Sequence, residues 1–215
     1  MSIAETLLFG LATLCFCFYF WGVIAQKKSA ITRFAKTASV ALLAVVAVIL
    51  QAPLFIILAL AFSSLGDLAL TYEGDKPFLL GLSAFALAHV FYQFEFMAFA
   101  QVSLIELLAT PQSIALIVIL ALGIGLIFPH AGPLKIPVLG YMGIIFLMGL
   151  YGLNLPAFFL LASIGVALFI LSDFCLGLER FRPDLTDGQR HGLSIAVWPL
   201  YWIGQGMILL GIALA

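Results

Sequence analysis

Apolar residues along this chain come in long unbroken runs, cut by short polar segments. Eight runs are long enough to cross a bilayer, which takes about 20 mostly apolar residues per helix. They lie at about 4–25, 34–51, 53–72, 77–100, 111–128, 134–151, 156–178 and 193–214. Continuous runs predict helices, because membrane β-strands alternate apolar and polar positions. Only Gln51-Ala52-Pro53 separates the second run from the third. One long kinked helix is the alternative there, but two spans fit the bilayer thickness better. Pro77, Pro111, Pro133, Pro156 and Pro199 are expected near helix starts, where proline is tolerated.

Composition narrows the class. Of 215 residues, 65% are hydrophobic and 9% charged, against about 25% charged in ordinary soluble domains. A soluble globule cannot hide that much apolar surface, and a disordered chain would be far more polar. Nine Lys and Arg make no basic face for nucleic acid. The fold class is therefore an all-α polytopic integral membrane protein: one domain, residues 1–215, with eight transmembrane helices.

Charge placement orients the spans. Lys27, Lys28, Arg33 and Lys36 fall between spans one and two, Lys76 between three and four, and Lys135 between five and six. Arg180, Arg182 and Arg190 fall between seven and eight. With eight spans, all nine lie on one side. The positive-inside rule makes that side cytoplasmic and puts both termini outside. Removing a span would scatter the charges over both faces. Short loops point to a bacterial inner membrane. The first span lacks the preceding basic residues and the cleavage site of a signal peptide. Cys15, Cys17 and Cys175 fall inside spans and are expected to pack as small apolar side chains.

FSSLGDLAL around Asp67 aligns with LFILSDFCL around Asp173, half a chain later. Spans three and seven would then be equivalents in a 4+4 parallel duplication. The alternative is coincidence of composition.

In so apolar a chain, the informative residues are polar ones inside spans. An ionisable residue there costs about 2.5–3.5 kcal/mol at the helix centre on insertion scales and marks a site by default. The candidates are Asp67, His89, Glu95 and Asp173, with Tyr92, Tyr141, Tyr201 and Gln205 beside them. Measured along the runs, Asp67 and Asp173 each lie about five residues, or 7–8 Å, from the cytoplasmic helix end. His89 lies near the midplane, and Tyr92 shares its face. Tyr201 and Gln205, at i and i+4, share another. Glu95, one turn beyond Tyr92, reads as interfacial. A lone buried Asp can simply hydrogen-bond a neighbouring helix, and a lone His can be a satisfied core residue. Two Asp at equal depth with His, Tyr and Gln favour a polar cavity instead. No zinc motif, nucleophile elbow or Walker loop occurs, so no metal or cofactor is expected.

The motifs around these residues resemble those of the YhhN family of eight-span membrane lysoplasmalogenases. They are Ser64-Leu65-Gly66-Asp67, Phe78 to Leu82 leading into Phe85, Ala88-His89 and Tyr92, and then Tyr141-Met142. Gly165 to Phe169 leading into Ser172-Asp173 follow, and finally Tyr201 and Gln205. The resemblance covers spans three to eight. Gly204, where the family often has Ala before Gln, is read as a mild departure.

The resemblance implies hydrolysis of the vinyl ether of a lysophospholipid, giving a fatty aldehyde and glycerophospho-ethanolamine or -choline. It makes Asp67 and Asp173 the catalytic pair. Such cleavage protonates an alkene carbon and passes through an oxocarbenium ion, as glycoside hydrolysis does with paired carboxylates. The residues leave the roles open; the working assignment casts Asp173 as acid and Asp67 as base or stabiliser. His89, Tyr92, Tyr141, Tyr201 and Gln205 would orient carboxylates and water. Lys36, Lys76, Arg180 and Arg182 would face the phosphate, or simply reflect positive-inside topology. The expected partners are the lysophospholipid and the bilayer; oligomeric state is open. A proton-coupled transporter and a non-catalytic lipid-binding protein are the competing readings.

Overall fold

The computed structural model describes residues 2–27, 29–100 and 103–215; Lys28 lies outside the described residues. Nine α-helices follow one another among these residues, with no strand. They are α1 (Ile3–Ile24), α2 (Ala30–Ile49), α3 (Leu54–Ala69), α4 (Asp75–Met97), α5 (Leu104–Leu108), α6 (Pro111–Leu126), α7 (Lys135–Gly152), α8 (Leu160–Phe181) and α9 (Asp187–Ala213). Short 3₁₀ turns at Phe128–His130, Gly132–Leu134 and Ala157–Phe159 prolong α6, α7 and α8.

Among the described residues, seven helices are long and apolar enough to cross a bilayer. The apolar run at 53–72 yields the shorter α3, of 16 residues. At 1.5 Å per residue it is about 24 Å long, less than the roughly 30 Å hydrocarbon core. Large apolar side chains are exposed on every long helix, Leu7, Phe34, Leu80, Ile136 and Leu160 among them. Helix α1 buries only Ala12 and Gly22. Such surface suits lipid.

Several boundaries differ from the apolar runs because capping chemistry lies outside them. Helix α2 starts at Ala30, where Ser29 and Thr32 cap each other reciprocally. Helix α9 starts at Asp187: the Thr186 hydroxyl accepts from the Gln189 N–H, and the Gln189 side chain accepts from the Thr186 N–H. Pro199 consequently lies well inside α9 rather than near its start. It removes the N–H that would reach the Ile195 carbonyl. Arg33 and Lys36 lie within α2, not in a loop.

The same shifts undo the matching depths. Asp67 is two residues from the end of α3, about 3 Å, and Asp173 is eight from the end of α8, about 12 Å. The short helix α5, capped by Ser103 and Glu106, was not legible as an apolar run. Cys15 and Cys175 are half-buried, but Cys17 is exposed and does not pack inside the protein.

The chain forms two compact units. The first holds residues up to 95 with 209–215, and the second holds 96–208. In the first unit α1 packs on α2 and α2 on α3. The sharp reversal between α2 and α3 replaces any kinked continuous helix. Gln51 sits at φ 54°, and the Ala52 N–H returns to the Ala47 carbonyl at 2.9 Å. That is a Schellman stop with glutamine in the left-handed position glycine usually takes. Phe55, Phe62 and Phe91 stack between α3 and α4 with centroids 5.4–6.2 Å apart.

In the second unit α6, α7 and α8 pack through small residues. A Cβ on Gly149 would meet Ile170 and Leu116 at 2.8–3.1 Å, so the helices approach where a side chain is missing. A hydrogen bond from Asn154 to Ser113, 3.1 Å, ties the end of α7 to α6.

Candidate functional site

The first unit builds its polar group from the α2–α3 hairpin. An antiparallel pair closed at Gln51-Ala52 brings position 36 opposite position 67. The ammonium of Lys36 accordingly lies 3.3 Å from Oδ1 of Asp67. Asp67 is 2% exposed and Lys36 12%. The register repeats one step on, where the Ser64 hydroxyl donates to the Thr37 carbonyl at 3.3 Å. The Tyr19 ring of α1 lies 5.9 Å from the same ammonium, within reach of a cation–π contact. A buried carboxylate needs such compensation, since an unpaired charge there costs several kcal/mol.

Helix α4 closes against this pair through Gly66. A Cβ at position 66 would lie 2.6 Å from the Phe85 ring, so only glycine admits that ring beside Asp67. The Phe85 carbonyl takes a 2.7 Å hydrogen bond from Nδ1 of His89. A carbonyl only accepts, so Nδ1 carries a proton. His89 and Tyr92 are completely buried. Glu95 is also buried, at 7%, two residues from the end of α4.

The second unit places Asp173 on α8 opposite Tyr141 of α7. The Tyr141 hydroxyl donates to Oδ2 of Asp173 at 3.2 Å. The neighbouring Ser172 hydroxyl donates to the Val197 carbonyl at 2.9 Å, joining α8 to α9. Lower on the same pair of helices the Phe169 ring meets Tyr201 edge-on, centroids 5.3 Å apart, and Trp198 flanks Tyr201 at 5.6 Å. Tyr201 and Gln205 are both buried, so the face they share turns inward.

At the α8–α9 junction Arg182 binds Asp184 through two hydrogen bonds, one of them 2.6 Å. That fork holds the exposed Asp184 carboxyl down at about 2, and the Asp184 backbone contributes a smaller lowering. Arg190 donates to the carbonyls of Glu179 and Arg182, capping the end of α8, and Ser194 donates to the Glu179 carboxylate. Of the expected phosphate contacts, Lys36 is set against Asp67 and Arg182 against Asp184, while Lys76 and Arg180 are exposed. Among the described residues, no three His, Cys, Asp or Glu side chains converge as a metal site would require.

The spacing of these residues can be set against known proteins. A family model of the YhhN family matches residues 31–212, most of the chain and both helical units. The chain belongs to the YhhN family. No curated protein and no solved structure matches it.

The matched region of this YhhN chain takes in Lys36 as well as both aspartates. In the sequence Lys36 read as a basic residue between spans and a candidate phosphate contact; its pairing with Asp67 was not legible, because the two lie 31 positions apart. The tie of Arg190 and Ser194 to Glu179 was missed altogether. Its one readable signal is the Thr186-to-Gln189 cap, which starts α9 early enough to carry both residues on the helix.

The family match bears out the reading of Gly204 as a mild departure from alanine, and the packing gives this glycine a local reason. A Cβ there would lie 2.8 Å from the carbonyl oxygen of Gly165, which is backbone and cannot swing aside.

Proposed function

We propose that this protein is a membrane-embedded hydrolase of the vinyl ether bond of 1-alkenyl lysophospholipids, a lysoplasmalogenase. The observation that carries the reading is the Lys36–Asp67 ion pair, with Asp67 buried within an otherwise apolar helix. Charge retained in such a place is costly and marks a site. YhhN membership supports the reaction class.

The chemistry needs one carboxyl group as acid and one carboxylate as base, and the likeness to the family casts Asp173 and Asp67 in those roles. Asp173 gives its proton to the alkene carbon remote from the ether oxygen, and the other alkene carbon becomes an oxocarbenium ion. Asp67, as carboxylate, stabilises that cation and takes a proton from the water whose oxygen adds to it. In the hemiacetal that forms, Asp67 returns its proton to the glycerol oxygen. The Asp173 carboxylate takes the hemiacetal hydroxyl proton as the C–O bond breaks. Aldehyde and glycerophospho-ethanolamine or -choline leave, and both aspartates regain their starting states. Tyr141 orients Asp173 through its hydroxyl. His89, Tyr92, Tyr201 and Gln205 are cast as residues that orient carboxylates and water, and Lys76 and Arg180, both exposed, as contacts of the phosphate.

The proposed topology has eight spans, with α3 the shortest, both termini outside and the basic ends cytoplasmic in a bacterial inner membrane. A parallel duplication would account for the placement of each aspartate on the third span of its half of the chain.

The test is aldehyde release from a 1-alkenyl lysophospholipid by purified protein in detergent, beside Asp67→Asn and Asp173→Asn. Release by the parent, reduced at least about 100-fold in each monodisperse variant, is expected. No release by the folded parent would overturn the reading. Proton-coupled transport, which needs a sealed membrane, would then take its place.

A further inference from the structure

The two aspartates have partners at corresponding places. Lys36 stands 31 residues ahead of Asp67, and Tyr141 stands 32 ahead of Asp173, each on the preceding long helix. One position carries a cation and its counterpart a phenol. The two carboxyl groups thus have chemically different neighbours.

We infer that Lys36 is the positioning residue that holds Asp67 as a carboxylate, and is not a ligand of the lipid phosphate. The inference rests on the proposed hydrolysis for its catalytic meaning, but its physical content is separate. Lys36 is 12% exposed, with its ammonium 3.3 Å from Asp67 and 5.9 Å from the centre of the Tyr19 ring. Tyr19 lies on α1, Lys36 on α2 and Asp67 on α3, so three helices fix the ammonium from different sides. A phosphate would have to draw it away from a carboxylate that is 2% exposed, and taking an opposite charge from a buried carboxylate is costly. Gly66 adds a further constraint: the Phe85 ring packed on it limits how far Asp67 can move to follow. The ammonium therefore stays with Asp67 through the reaction. That makes Asp67 the group that stabilises the cation and receives the water proton, and leaves the first proton transfer to a different carboxyl.

The test reads charge state without turnover. Dicyclohexylcarbodiimide enters membrane proteins and couples to protonated carboxyl groups, whose proton moves to a carbodiimide nitrogen as the oxygen adds to its central carbon. The full chain in detergent is treated at neutral pH, and the peptides bearing Asp67 and Asp173 are weighed by mass spectrometry. In the parent, Asp67 is expected to stay unlabelled. In Lys36→Met it is expected to gain at least about tenfold in labelling, since one neighbouring charge shifts such an equilibrium by a unit or more. Lys36→Arg should restore protection, and Asp67→Asn in the Lys36→Met background should abolish the new adduct.

Rapid labelling of Asp67 in the parent would overturn the inference, and so would unchanged labelling in folded Lys36→Met. The parent measurement stands even where Lys36→Met does not fold. Failure of the hydrolysis reading is distinguishable, because it shows as absent aldehyde release whatever the labelling pattern.

Discussion

Gly165 of α8 and Gly204 of α9 meet backbone to backbone: a Cβ on the first would lie 2.6 Å from the carbonyl of Gly204, and one on the second 2.8 Å from that of Gly165. Contacts of this kind let helices approach closely enough for Cα–H···O interactions, and membrane interfaces use small residues for it. Tyr201 sits one turn before Gly204 and Gln205 directly after it, so this crossing sets how deeply both side chains press toward α8.

Gly204→Ala is therefore expected to push α8 and α9 apart and lower stability by about 1–3 kcal/mol, the usual range for overpacking. Gly10 supplies the control, since nothing lies within 4 Å of a Cβ added there. Gly10→Ala should instead be neutral or stabilising by up to about 1 kcal/mol through helix propensity. Thermal denaturation in detergent distinguishes the two; equal effects would contradict the packing argument.

The Lys36–Asp67 pair makes a prediction about stability as well as charge. Removing either partner takes the opposite charge away from the other, and the expected loss is up to about 3–5 kcal/mol, the range for breaking a buried pair. Replacing both, as Lys36→Met with Asp67→Asn, should cost markedly less than the two single changes added together. A thermal-shift cycle over the four proteins reads the coupling; additivity would mean that the two groups do not sense each other.

Gln51 holds the left-handed position that ends α2, with φ 54°. Glycine adopts that conformation without the Cβ penalty, so Gln51→Gly is expected to stabilise the α2–α3 turn by roughly 0.5–1 kcal/mol. A lower melting temperature would mean that the glutamine side chain contributes more than its backbone costs.

Asp184 carries a pH prediction. Its carboxyl is held at about 2, below its ordinary 3.8, chiefly by the Arg182 hydrogen bonds. A folded value below the unfolded one means that stabilisation is present above pH 3.8 and is lost as pH falls through about 2. Arg182→Ala should return the Asp184 titration toward 3.8. Carboxyl ¹³C shifts of labelled protein measure it, and a midpoint unchanged by the substitution would show that Arg182 is not the cause.

Much of the architecture was legible because hydrophobic runs of membrane length have one cheap solution. In lipid each backbone group must be bonded within its own segment, and a helix does that locally. The seven long helices and the shorter α3 all fall on runs read from the sequence. Asp67, His89, Tyr92, Tyr201 and Gln205 stood out for the same reason: polarity inside such a run is expensive wherever the chain folds, and all five are buried.

What the tertiary structure decided is which of these residues meet. Depth read along the runs made Asp67 and Asp173 alike, whereas the helix ends, set by local caps, place them about 3 and 12 Å in. The sequence alone determined that charge is kept inside apolar helices, since burial in lipid follows from composition and length. Only the folded hairpins set Lys36 against Asp67 and Tyr141 against Asp173, because those contacts join residues 31 and 32 positions apart. Their register depends on where each turn closes, at Gln51-Ala52 for the first. That closing point is a matter of backbone dihedrals, which hydrophobic patterning does not encode.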